Sequence, residues 1–292
     1  MSTLGPQQAA TSVVTLAWER QHRWSEAADR LKHDLERKRL VALALGVLGA
    51  VLAAVSVGAG LDSLGGTVLT FSSAASVGAA GALRAQSGTR SVQEWTRARS
   101  VAEAIKSEVY AHLVRGGSEG ELDRRVTELE EDAADLLGHT DATGTPPGPL
   151  PDVHDLESYI RNRVQEQADH YYRPRARALE RRVALMRQVL LALGVGGSML
   201  AAAAGTWELD VVAAWVPVTT TVAAAVTAFA AAGRYDYLIV EYLRTAAELD
   251  RLARRHGSAA ALSPREFVAE AERTISIQNE GWMARLATGN DS

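Results

Sequence analysis

Residues 39–62, RLVALALGVLGAVLAAVSVGAGLD, and residues 187–210, RQVLLALGVGGSMLAAAAGTWELD, align without a gap at an offset of 148 and are identical at 13 of 24 positions. An internal repeat is settled before any other reading because it decides the architecture. Four charge-free windows follow from it: 40–61, 63–83, 188–207 and 211–233. Each has the roughly 17 to 25 predominantly apolar residues that a membrane-spanning helix requires. Ala, Gly, Ser and Thr dilute the Leu and Val, so the mean hydropathy of the whole chain is near zero. The alternative is a soluble bundle with four fully buried helices. The lack of any Lys or Arg inside the windows argues against it, since helices of soluble bundles carry a polar stripe.

The flanks orient the hairpins. Arg30, Lys32, Arg37, Lys38 and Arg39 precede the first window, and six arginines from Arg173 to Arg187 precede the third. Arg84, Arg90, Arg97 and Arg99 follow the second, Arg234 and Arg244 the fourth, while the two short connections hold only Asp62, Glu208 and Asp210. By the positive-inside rule both hairpins enter from the cytoplasm and return to it, with both termini and the central segment inside. Met1 to Thr15 lacks the basic start and apolar core of a cleavable signal.

The expected fold is an all-α membrane protein of two tandem repeats, each a long cytoplasmic helix, a two-span hairpin and a following cytoplasmic helix. The first repeat covers 11–137 and the second 153–286, joined by a Pro/Gly linker over 138–152 that contains Thr143-Gly144-Thr145-Pro146-Pro147-Gly148-Pro149. The helix over 11–39 has no Pro or Gly and runs into the first span as one rod, whereas its counterpart over 153–187 contains Pro174, where a kink is expected. Trp95, Val101, Ile105, Val109 and Leu113 recur at helical spacing, as do Leu122, Val126, Leu129, Ala133 and Leu136. In the second copy Leu238, Tyr242, Thr245, Leu249 and Leu252 do the same, and Ser263-Pro264-Arg265-Glu266 is a capping box opening a helix with Phe267, Ala271, Ile275, Gln278 and Trp282. These stripes read as packing in a helical bundle, or as a face for a partner.

Within the spans the repeat preserves residue size. Gly46, Ala50, Ala54 and Gly58 lie four apart, and Gly194, Ser198, Ala202 and Thr206 occupy the equivalent places. Such ridges let backbones approach where lipid offers no hydrophobic drive, so tight hairpins or homo-oligomers should follow. The second and fourth spans carry the hydroxyls, with Ser72, Ser73, Ser76, Thr219, Thr220 and Thr221 the candidate pore-lining groups. Each hydroxyl either bonds to its own backbone or a neighbouring helix, or lines a wet path. Asp62 and Asp210 cap the helices that follow them, or form acidic rings at an outer mouth favouring cations. Arg39 and Arg187 read as anchors that snorkel to the headgroups.

Other chemistry finds little support. There are 31 basic against 35 acidic residues, so a general nucleic-acid role has no basis. The absence of cysteine excludes disulfides, thiolate metal sites and cysteine nucleophiles. The seven histidines lack metal-ligand spacing, and no phosphate-cradling glycine loop or nucleophile elbow occurs. The chain reads as a non-enzyme without cofactor or metal.

The second copy contains Tyr159-Ile160-x-x-Arg163-Val164, Tyr171-Tyr172, a basic entry to a two-span hairpin and Ala214-Trp215-Val216. It continues with Tyr237-x-x-x-x-Tyr242-x-x-Thr245-Ala246-x-x-Leu249 and closes on Glu280-Gly281-Trp282. In this it resembles the SLATT domain, the two-span effector also described as the DUF4231 type, and the first copy resembles it through Trp18, Trp24, the basic entry and Trp95. The resemblance implies a bacterial membrane effector, a pore-former acting in an antiphage or stress response when a nucleotide-sensing partner detects the trigger. With no sensor domain in the sequence, that partner would be a separate soluble chain, or the cytoplasmic helices would bind the signal. The leading expectation is an oligomeric channel or pore-forming effector in the bacterial cell membrane, gated through its helical bundle. Its alternative is a non-conducting, membrane-anchored scaffold that recruits a soluble partner. A transporter is weakened by the lack of an ionisable residue at mid-span.

Overall fold

The computed structural model describes residues 12–60, 63–141, 144–207, 209–256 and 262–288. Its described elements are helical. Helix α1 (Val13–Gly58) runs 46 residues without interruption. It is capped by Ser12, whose Oγ accepts from the Thr15 amide at 3.2 Å. Helix α2 (Leu64–Gln86) is capped by Ser63 through the Gly66 amide, and α3 (Thr89–Arg115) and α4 (Glu119–Glu131) follow, then a short 3₁₀ turn over Ala134–His139. The second copy begins with α5 (Leu156–Tyr159), continues through π-helical turns over Ile160–Gln165 and Gln167–Tyr172, and enters α6 (Arg173–Trp207). Helices α7 (Asp210–Ala213), α8 (Val216–Gly233), α9 (Tyr235–His256) and α10 (Pro264–Thr288) complete it.

Pro174 lies one residue into α6, immediately after the π-helical turns. Proline has no amide to donate and its ring crowds the carbonyl four residues back. A π-helical stretch relaxes that spacing, and such insertions occur frequently at functional sites.

The chain divides into two compact units that cut across the repeats. One is built from the chain up to Lys32, from Gln93 to Tyr171 and from Thr245 onward; the other from His33–Val92 and Tyr172–Arg244. The first unit has a water-soluble type of core. Trp24, Ala28, Ala98, Ile105, Val109 and Val126 are almost wholly buried, with Trp18, Trp95 and Leu129 against them. The stripes read on α3 and α4 therefore face one core. In the same unit Leu249, Leu252, Phe267, Ala271 and Ile275 are buried. The capping box forms as read: Ser263 N donates to Glu266 Oε2 at 3.0 Å and Glu266 N to Ser263 Oγ at 3.3 Å. The side chains of Gln278 and Trp282 lie outside the described residues.

The second unit holds the hairpins, and its apolar surface points outward. Leu64 is 83% exposed, Phe71 73%, Leu191 70% and Met199 68%. A soluble bundle would require these side chains inside, and a continuous apolar surface of this kind seeks lipid or another protein. Among the described residues four helices are long and apolar enough to cross a membrane, one for each charge-free window.

Candidate functional site: the hairpins and a buried charge cluster

In the hairpin unit the close approaches fall at two glycines that the repeat conserves but that stand beside the ridges. A Cβ placed on Gly49 would lie 2.7 Å from Val77 Cγ2 and 3.2 Å from the Ser73 carbonyl oxygen. On Gly197 it would lie 2.6 Å from Thr219 Oγ1. Each copy thus brings its two spans together at the same repeat position. The signal is present in the sequence, since Gly49 and Gly197 are identical at the offset, outside the four-residue spacing of the ridges.

The ridges have unequal surroundings. Ala54 is buried, and a Cβ on Gly46 would meet Arg84 Nη2 at 3.4 Å and one on Gly58 would meet Val211 Cγ1 at 3.8 Å. Along α6, by contrast, a Cβ on Gly194 would meet nothing within 4 Å, and Gly194, Ser198, Ala202 and Thr206 are exposed. A shallow groove follows that face from Leu190 to Ala202.

The hydroxyls have partners on the backbone. Ser73 Oγ donates across the hairpin to the Gly49 carbonyl at 2.7 Å. Ser76 donates to the Ser72 carbonyl at 2.8 Å, Thr219 to Val216 at 2.8 Å and Thr220 to Pro217 at 2.9 Å, all within their own helices. Ser72 is half-buried and Thr221 exposed. Asp62 and Glu208 lie outside the described residues, as does the side chain of Asp210.

At the arginine-bearing end, Gly233 and Arg234 separate α8 from α9. Arg234 takes a left-handed conformation with φ 45°, and the Tyr235 ring folds against Gly233 where any Cβ would collide with it. Arg187 approaches Asp236 at 3.5 Å, and Arg182 stacks over the Tyr235 ring.

The other unit contains a cluster that reading for motifs did not assemble. Arg163, fully buried on the π-helical segment, donates from Nε to Glu272 Oε1 at 3.0 Å and from Nη2 to Glu272 Oε2 at 2.9 Å. The Tyr159 hydroxyl donates to the same carboxylate at 2.8 Å, Glu103 lies 3.8 Å from Arg163, and the guanidinium covers the Tyr110 ring at 4.7 Å. Burial alone would push Arg163 toward neutrality, but Glu272 and Glu103 outweigh it and raise its pKa well above the ordinary value. Burial, reinforced by the Arg163 charge, pulls the Lys106 ammonium down to about 8. Burial and the Glu272 charge hold the Tyr159 phenol protonated far beyond its usual range. Beside this cluster α3, α4 and α10 line a half-open pocket of about 630 Å³, with Glu103 and Glu272 in its wall together with Arg124, Arg125 and Glu128. Among the described residues no three His, Asp or Glu side chains gather as a metal site.

The linker is strapped to α1. Trp18 Nε1 donates to the Gly148 carbonyl at 3.1 Å, the Thr145 amide donates to Glu26 Oε1 at 2.9 Å, and Arg30 Nη2 donates to the His139 carbonyl at 2.7 Å. His22 Nε2 lies 2.9 Å from the Thr145 carbonyl oxygen. These four residues stand four apart, on one helix face.

Paired apolar hairpins with basic flanks, joined to a helical bundle, define a multi-pass membrane protein. Residues 159–282 match the model described as "SMODS and SLOG-associating 2TM effector domain 1", or SLATT_1, and residues 21–118 match DUF4231, a protein of unknown function. The two matches together cover most of the chain, which belongs to the SLATT/DUF4231 family as a tandem of two-span domains of the membrane-effector type. No curated protein and no solved structure matches it. The matched second segment includes Tyr159 and Arg163, so two residues that carried the resemblance are members of the buried cluster.

Proposed function

We propose that this effector is an oligomeric channel or pore-former whose conducting path is opened through its helical bundle. The observation that carries the reading is the inequality of the two ridges. On the first ridge Ala54 is buried and Gly46 and Ala50 are half-buried, with only Gly58 exposed, whereas Gly194, Ser198, Ala202 and Thr206 are all exposed along a span. A ridge of small residues lets helix backbones approach in lipid, so the exposed second ridge is a surface for the next subunit, and head-to-tail contacts of this kind can close into rings.

In the assembled ring Ser72, Ser73, Ser76, Thr219, Thr220 and Thr221 line the path, and Asp62 and Asp210 supply the outer acidic groups. The basic flanks set both termini in the cytoplasm. A separate nucleotide-sensing chain delivers the trigger, received by the bundle that contains Arg163. One observation favours the scaffold reading instead: the hydroxyls of Ser76, Thr219 and Thr220 already bond to their own helices, which needs no water path.

The cysteine-free sequence makes the oligomer accessible to test. Ser198→Cys should cross-link between subunits in membranes, and Ala80→Cys, at a buried position, should not. Reconstituted full-length protein should then carry ions across a planar bilayer, and silence in every state tried, the cognate trigger included, would exclude the channel.

A further inference from the structure

Arg39 and Arg187 are equivalent in the repeat, yet only Arg187 has a carboxylate beside it. The offset of 148 explains the difference, because Gly88 stands in the first copy where Asp236 stands in the second. A second exchange acts in the same direction: Asp34, which pairs with Lys38 at 2.6 Å, is replaced by Arg182. Arg39 and Arg182 both act on Tyr235, Arg182 with its Cζ 5.4 Å from the ring centre and Arg39 through its charge. Among the described residues neither arginine has a carboxylate within ion-pair distance. Glu36 acts on Arg39 and Tyr235 through its charge, and Arg234 and Asp236 flank the tyrosine in the chain. Arg39 is half-buried, so its charge is partly stripped of water while Glu36 acts on it without making an ion pair with it.

We propose that Arg39, Arg182 and the Tyr235 hydroxyl form a phosphate-binding site, and that the phosphate is the headgroup of an anionic phospholipid. Guanidinium forks match phosphate oxygens in pairs, and a neutral phenol adds a donor. The source follows from position. Arg39 immediately precedes the window 40–61 and Tyr235 follows the window 211–233 by two residues, so the site lies at headgroup depth with exposed apolar helix below it for acyl chains. The left-handed Arg234 and the bare Gly233 hold the tyrosine there. The proposal stands whether or not the bundle conducts.

Native mass spectrometry of the full chain released from detergent tests it, with phosphatidylglycerol, phosphatidylcholine and inorganic phosphate as probes. The expected result is preferential retention of phosphatidylglycerol that falls roughly thirtyfold in R39Q/R182Q, given the usual contribution of each headgroup-level arginine. R187Q, whose arginine already has Asp236, should retain it. Tyr235→Phe, which keeps the ring against Gly233, should reduce retention with the fold intact and serves if the double variant fails to fold. Equal retention of the two lipids, or undiminished binding in the folded variants, would overturn the site. Arginine-dependent binding of inorganic phosphate without a lipid preference would overturn the lipid assignment.

Discussion

The Ser73 hydroxyl donates a 2.7 Å hydrogen bond to the carbonyl of Gly49 on the facing span, at the level where Gly49 has no room for a side chain. The contact is a backbone-to-backbone approach sealed by one hydroxyl. Gly49→Ala should therefore destabilise the hairpin by about 1–3 kcal/mol, the usual range for overpacking. Gly78→Ala, where a Cβ would meet nothing within 4 Å, should change little. Unfolding of the full chain by denaturing detergent checks both, and equal effects would mean the approach is not tight.

Arg163 and Glu272 should behave as a coupled pair. Glu272→Ala leaves a buried guanidinium short of its main partner and should cost about 3–5 kcal/mol, while the apolar double replacement R163M/E272L should cost far less than the summed singles. Thermal melts of the four proteins give the coupling, and simple additivity would refute it.

Lys106 gives the bundle a pH dependence of definite sign. Its folded-state pKa, about 8, is below the ordinary 10.5, so between these values the unfolded chain binds more protons and stability rises with pH. Near pH 10 the protonated Tyr110 and Tyr159 reverse the trend, because their raised values make folding favour the proton-bound form. Melting midpoints should increase from pH 7.5 to about 9.5, and Lys106→Met should flatten that rise and be more stable at neutral pH.

The strap over the linker depends on the absence of a side chain at Gly144, where a Cβ would run into the Glu26 carboxylate. Gly144→Ala should release the Thr145 contacts and expose 144–150 to limited proteolysis. Gly148→Ala, with open space around it, should leave cleavage unchanged.

The architecture was legible because spanning helices and repeats are written in local composition: uninterrupted apolar windows, flanking arginines and an ungapped offset. The bundle core was legible for the same reason, with Ile105, Val109 and Val126 at helical spacing and buried together. What the sequence concealed depends on long-range contact. Arg163 and Glu272 are 109 residues apart and meet only once the helices pack. Trp18, His22, Glu26 and Arg30 look like an ordinary solvated face until the linker lies on them. The unequal ridges could not be read either, since equivalent sequences differ only in what surrounds them.

The most direct test of the central claim is flux of small ions and of a larger dye from liposomes holding the full chain and its activating signal, beside the variant with Ser72, Ser73 and Thr220 changed to Leu. The account predicts ion flux that the variant reduces or abolishes, with the dye bounding the width of the path. Intact oligomers that release neither ion nor dye, or a variant that conducts as the parent does, would contradict a path lined by the second and fourth spans.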